Sequence, residues 1–381
     1  MLAQTERIIY WLSKLVQIPS VSSIQAGPKA GQPGEQAMAE FLAATFRSLG
    51  ADEVELEELL PGRPNVYAIW HGTTNRWAAL DVHTDTVSVE QMTDPPFDGR
   101  LQDNKIWGRG AVDTKASLAL VIATLEAMQQ AGQKPVPNLV VVGTINEESG
   151  GDGARGFANW VRRRGLVLDE LMVAEPTRCA PIYGHKGAMG LEIEVQGVPA
   201  HTSQPHLGKN AIYAAAHLIV ALEAEHERLQ TLDWPTPLGA PTLTVSLISG
   251  GVGRNVVPDK CTLSLGRRMV PFEDPQAEAD KLIALAEAAC PLPFTINYRI
   301  GIEAFYQSPN LPWIEQLAEW SGGTPTVAPY DTNALAYGGL AQQTIIFGPG
   351  SIDQAHGVVE WIEVAELEKA AQVYAYWLGA A

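Results

Sequence analysis

Apolar positions recur along this chain with two different periods. Residues 5–17 place Ile8, Leu12, Leu15 and Val16 at helical spacing, and Pro19 closes the segment. A Gly/Pro-rich stretch over 23–33 reads as a loop, and a second helix runs to about Leu49, stopped by Gly50. The acidic segment 52–58 reads as a solvated edge strand, and further strands are expected near 64–71 and 77–83. Leu118, Val121, Ile122, Leu125 and Met128 predict an amphipathic helix. Residues 139–145 form a continuous apolar run of the kind buried on both faces of a sheet. A helix near 154–165 leads to a strand at 171–174.

The pattern changes near residue 182. A strand over 187–196 is followed by a helix carrying Ile212, Ala215, Ile219 and Leu222 on one face. Strands near 242–249 and 259–268, a helix over 274–289 and a strand near 294–299 complete a β-α-β-β-α-β series. The α/β alternation then resumes, with helices at 310–321 and 332–339, a strand at 344–347, and a last helix facing inward with Val364, Leu367, Ala371, Tyr374 and Leu378. The expected fold class is therefore α/β. A mixed twisted sheet flanked by helices, built from 1–181 and 299–381, is interrupted by a ferredoxin-like βαββαβ domain at 182–298.

A length of 381 residues accommodates two cores, and an apolar content of 46% with 35 Gly and 26 Pro suits a loop-rich α/β enzyme. A formal charge of −17 argues against nucleic acid, whose phosphates require a basic face. The N-terminal residues lack the basic and apolar blocks of a signal peptide, and no run is long enough to span a membrane. The three cysteines, Cys179, Cys261 and Cys290, form no close-spaced metal motif; so sparse a set predicts a reducing, cytoplasmic setting.

The candidate chemistry lies where apolar runs end. His83 and Asp85 close the first, Asp113 precedes the 118–128 helix, Glu147 and Glu148 follow 139–145, Glu175 follows 171–174, and His356 lies in a late loop. Ligands bind open α/β sheets at the carboxyl ends of the strands. Residues i and i+2 of a strand share a face, so His83 and Asp85 can meet at one site. Two histidines among several carboxylates suit a pair of divalent ions such as zinc, and one Asp can bridge them. Of two adjacent glutamates, one can bind metal while its neighbour takes a proton from the attacking water.

With these residues in place, the sequence resembles the di-zinc amidohydrolases and exopeptidases that include acetylornithine deacetylase, succinyl-diaminopimelate desuccinylase, aminoacylase and glutamate carboxypeptidase. The likeness runs through nearly the whole chain in ordered motifs: IPSVS at 18–22, HTDTV at 83–87, DPPFDG through GRGAVDTKA, NEESGG, AEPT, GHKG, GVPAHTSQPHLGKNA, NVVPD, RRMVP, FGPG and AHGVVE. It implies that His83, Asp113 and Glu175 hold one ion and that Asp113, Glu148 and His356 hold the other. It implies two zinc ions, with cobalt or manganese as alternatives, and a cis peptide bond after Asp113. Asp85 would orient His83, Glu147 would be the general base, and His201 would reach the reaction intermediate from the second subunit of a homodimer. Asn255 and Arg268 would bind substrate oxygens, and Gly350 would line the pocket.

Three positions depart from the family pattern. Gly266 stands where Asp is frequent, Gly-Val-Val-Glu follows His356 in place of Thr-Pro-Asp-Glu, and Tyr330 stands where a small residue is common. All three bear on specificity and none removes a ligand. The implied reaction is hydrolysis of an N-acyl amino acid, with a desuccinylase, a metallo-dipeptidase or carboxypeptidase, and a non-catalytic binding homologue as the other readings.

Overall fold

The computed structural model describes residues 3–380. It divides into two compact units: Gly184–Tyr306 with Val327–Asp331 form one, and the remaining described residues form the other.

The larger unit is a mixed sheet flanked by helices. Its strands lie in the order Glu53–Leu60, Arg63–Trp70, Asn138–Thr144, Trp77–His83, Leu168–Val173 and Ala341–Ile346. The first three pair antiparallel. The pairings from Asn138–Thr144 through Ala341–Ile346 are parallel, and beyond them Ile182 of strand Ile182–His185 pairs antiparallel with Ile346. Four consecutive strands thus end at one edge, delivering His83, the 146–148 segment, Glu175 and the 348–350 turn to the same place. The central strands are buried almost throughout, as their unbroken apolar runs require, whereas edge strand Glu53–Leu60 is only half covered.

The helix Lys115–Gln130 is not amphipathic in its setting. Nearly all of it through Leu125 is buried. It packs between the sheet and the helices Thr5–Val16 and Val364–Leu378, and Ala116, Ala119 and Ala123 permit the close approach. Two of its buried polar groups bond inside the protein: Thr124 Oγ1 donates to Leu120 O at 2.8 Å and Lys115 Nζ to Ile18 O at 2.8 Å. The helix expected over 332–339 is a short 3₁₀ turn, Asn333–Tyr337, opened by Thr332 Oγ1 accepting from Ala334 N. Buried Asp81 anchors this turn. It accepts from Tyr337 OH at 2.6 Å, Asn333 Nδ2 at 3.0 Å and Thr144 Oγ1 at 2.6 Å.

The smaller unit is an antiparallel sheet ordered Thr242–Gly250, Lys260–Met269, Gly187–Gln196, Phe294–Ile302. Helices Ala211–Thr231 and Pro275–Ala289 supply its second layer. Leu191, Ile193, Leu218, Leu263 and Leu282 form the shared core, and the central strands alternate between buried and half-exposed positions. The helices begin on side-chain caps, Asn210 for Ile212 and Tyr213, and Asp274 for Ala277. Strand Thr242–Gly250 lies at an open edge and exposes Leu247 and Ile248; Tyr213 and Val220 are exposed on helix Ala211–Thr231. Among the described residues, no helix is long and apolar enough to cross a membrane.

Candidate metal centre

The parallel strands place His83 2.9 Å from Asp113, Nε2 to Oδ1. The other Asp113 oxygen, Oδ2, lies 3.2 Å from His356 Nε2, which is also 3.2 Å from Glu148 Oε1. Asp113 therefore turns one oxygen to each histidine. Ligand atoms of His83, Asp113 and Glu175 lie within 4.8 Å of one another, and those of Asp113, Glu148 and His356 do likewise. The two groups share Asp113. The peptide bond from Asp113 to Thr114 is cis.

The backbone beside Glu175 and Asp113 is closely packed. The 347–350 turn packs so closely that a Cβ on Gly348 would meet Glu175 O at 2.5 Å, and one on Gly350 would meet Val112 Cγ2 at 2.3 Å. Gly350 also has φ +77°, which disfavours any side chain there. Asp85 meets His83 through its backbone: Nδ1 is 2.9 Å from Asp85 O, while the nearer carboxylate oxygen is 3.8 Å away. The Asp85 carboxylate is engaged instead by the amides of Glu147 and Glu148, at 3.0 and 3.1 Å. Asp85 lies beyond the strand, which ends at His83, so the two-residue strand period does not govern its side chain.

The electrostatics are those of crowded negative charge. Burial, then the neighbouring Asp113 and Glu147 carboxylates, push the Glu175 carboxyl well above its usual value. Burial likewise raises Glu147 well above the usual carboxylate range, with Glu148, Asp85 and Asp113 adding to it. Burial works against ionisation of Asp113 too, but hydrogen bonds from His356 and His83 hold its pKa low. Hydrogen bonds to Asp113 and Glu148 push His356 up to about 10. A cluster that drives protons onto its own carboxyls is short of positive charge. Nitrogen and oxygen donors, two groups of three and a shared carboxylate suit a pair of borderline divalent cations. The residues present therefore fit a dinuclear metal site, and Glu147, outside both groups, is left available for proton transfer.

Three expected substrate contacts lie in the smaller unit. His201 is exposed, its Nδ1 bonded to Ser203 Oγ at 2.7 Å. It is in register with Val256, and Thr202 N donates to Asn255 O, so His201 and Asn255 lie close together. Arg268 is half-exposed and pairs with Asp331 at 3.0 Å.

Two buried charged pairs lie behind the centre, and their pairing is not visible in the sequence. Glu35 and Arg63 form a buried bidentate pair, and Glu35 accepts the Asn146 amide at 3.1 Å, next to Glu147. Glu360 and Arg109 form a second buried pair beside Asp113. Glu35 and Arg63 are 28 residues apart and Arg109 and Glu360 are 251 apart, so nothing local in the sequence joins the members of either pair.

The sequence model of Peptidase family M20/M25/M40 matches residues 79–380. Acetylornithine deacetylase of Vibrio vulnificus is 31% identical over 363 residues, covering 90% of this chain and 91% of that one. A probable carboxypeptidase of Ajellomyces dermatitidis is 30% identical over 335 residues, covering 84% of this chain and 75% of its own. In fold, a tripeptidase from Staphylococcus aureus superposes with a TM-score of 0.78 at 20% identity, covering 98% of each chain.

Proposed function

The chain belongs to Peptidase family M20/M25/M40, a family of metal-dependent hydrolases of amide and peptide bonds, and we propose that it is a deacylase of the acetylornithine deacetylase type, acting on an N-acyl amino acid. One observation carries this reading: two ligand groups meet at Asp113 while Glu147, beside Glu148, belongs to neither. His83, Asp113 and Glu175 would hold one ion, and Asp113, Glu148 and His356 the other. Zinc suits the donors best, with cobalt or manganese as alternatives. Bound there, such ions supply a water of lowered pKa and a Lewis acid for the scissile carbonyl.

The chain's own groups do the rest. Glu147, whose carboxyl holds its proton more tightly than an ordinary glutamate, takes a proton from the attacking water and returns it to the leaving amine. Arg268 suits a two-pronged grip on a free substrate carboxylate, Asn255 would bind a substrate oxygen, and Gly350 would sit in a turn that lines the pocket. His201 donates to the developing oxyanion. The exposed edge Thr242–Gly250, with Leu247 and Ile248, favours a homodimer in which each subunit lends its His201 to the other. The free cysteines Cys179, Cys261 and Cys290 fit a cytoplasmic setting.

Glu175 in AEPT and the deacetylase relatives favour the deacylase. The probable carboxypeptidase relative keeps peptide hydrolysis as the second reading. Turnover of metal-reconstituted protein over N-acetyl, N-succinyl and dipeptide substrates, scored by free amine, separates them. Release from N-acetyl amino acids is expected. Release from N-succinyl substrates alone would make the protein a desuccinylase, and from dipeptides alone an exopeptidase. No release from any would leave a non-catalytic homologue.

A further inference from the structure

Glu360 is buried at the end of the loop that carries His356. Its Oε1 accepts two backbone amides, Val112 N at 3.0 Å and Asp113 N at 3.2 Å. Its Oε2 holds Arg109 Nη1 at 2.8 Å, and the two side chains are 0% and 3% exposed. The second terminal nitrogen of Arg109, Nη2, donates to Ser88 O and Gly357 O, each at 3.0 Å. Gly357 follows His356, whose own φ of +59° needs a held backbone. Ser88 continues the loop that begins at His83. The pair's side-chain hydrogen bonds, beyond the one joining its members, thus lead to backbone beside a ligand or in a loop that leaves one. The main chain repeats the tie, with Gly108 N donating to Glu360 O at 3.0 Å.

We propose that Glu360 and Arg109 are positioning residues that set the backbone of the shared ligand Asp113 and the loop of His356 as one unit. The proposal rests on reading Asp113 and His356 as metal ligands. A carboxylate is suited to the role because one oxygen can take two amides while the other takes the guanidinium. Glutamine at 360 would offer one oxygen and a donor that faces other donors. Lysine at 109 keeps the charge opposite Glu360 but loses the fork that reaches Ser88 and Gly357. The two changes therefore disturb the same unit from opposite sides.

The test is titration of metal-free protein with Co(II), followed by its visible spectrum, alongside kcat, KM and the thermal midpoint of the metal-free form. Arg109→Lys is the milder variant and Glu360→Gln the stronger. Each should weaken at least one of the two Co(II) equivalents by about 10–100-fold, as loss of groups that orient ligands does. The spectrum should change and kcat should fall with KM nearly unchanged, while the metal-free midpoint of Arg109→Lys stays near that of the parent. Parental affinity and spectrum at both equivalents would overturn the proposal. So would losses that merely track a lowered midpoint, since those mark a structural pair only. His356→Ala separates the two levels: if that variant keeps both equivalents, the ligand reading itself fails.

Discussion

The carboxylate of Asp85 holds the backbone of Glu147, with Oδ1 accepting the Glu147 amide at 3.0 Å and Oδ2 the next amide at 3.1 Å. One side chain thus aims both the proposed base and the adjacent ligand, while its carbonyl oxygen faces His83. Asp85→Ala should therefore lower both turnover and metal affinity, by about 10–100-fold in affinity. Asp85→Asn, with a single acceptor oxygen, should fall between. Metal titration and kcat for the two variants check this. An affinity loss without a turnover loss would confine the Asp85 carboxylate to holding the ligand Glu148.

Glu147 stands outside both ligand groups. Glu147→Ala should lose at least two to four decades of turnover, the range attributed to general acid–base catalysis, and still bind two metal equivalents. Elemental analysis decides the point: metal-free Glu147→Ala protein would exchange the roles of Glu147 and Glu148.

Much of this centre is legible in the sequence because the parallel strands end together. Each apolar run, read singly, leaves His83, Glu147 and Glu148, or Glu175 at its end, and the sheet converts those ends into one edge. Asp81 is not legible. It lies inside an apolar run, and its partners Asn333 and Tyr337 are 252 and 256 residues away. Periodicity also under-reads the Lys115–Gln130 helix, because it treats Lys115 and Thr124 as solvent positions when both bond inside the protein. The return of Val327–Asp331 to the smaller unit has no counterpart in the hydrophobic pattern either.

The Asp81 network gives a stability prediction. Asp81→Ala would leave the Tyr337 and Thr144 hydroxyls without their buried carboxylate acceptor, and each unmet buried donor costs about 1–3 kcal/mol. Urea unfolding should therefore show a loss on the order of 3 kcal/mol, with Asp81→Asn less affected. A loss within about 0.5 kcal/mol, the range of ordinary surface changes, would mean that the turn holds without this anchor.

His185 gives a pH prediction. Burial pushes its imidazole down to about 4. Its folded pKa is thus below the unfolded value of about 6.5, so the folded state disfavours the extra proton. The stability of the neutral form is complete above about pH 6.5 and is lost as pH falls through the folded value. Unfolding of the parent and of His185→Gln should be compared at about pH 7.5 and pH 5. The gap between them should narrow by up to about 2 kcal/mol at the lower pH. A constant gap would show that His185 does not titrate differently on folding.

The proposed sharing of His201 across a dimer can be tested by complementation. His201 is exposed, lies in the smaller unit beside Asn255, and spends its Nδ1 on Ser203, which leaves Nε2 for a ligand. Glu147→Ala and His201→Ala should each be nearly inactive as homodimers. In a mixed dimer, the Glu147→Ala subunit still has His201 to lend, and the His201→Ala subunit keeps its own Glu147 and metal ligands. The second subunit's centre then contains every wild-type group, while the other centre lacks both. A two-fold interface is isologous, so this arithmetic holds for every mixed pair. Random exchange of equal amounts makes half the dimers mixed, each with one complete centre. Activity should therefore rise to about a quarter of the wild-type value, as two-fold symmetry requires. If native mass spectrometry shows the mixed dimer and no activity returns, His201 does not act across the interface. If the protein is monomeric and His201→Ala remains inactive, His201 serves its own chain.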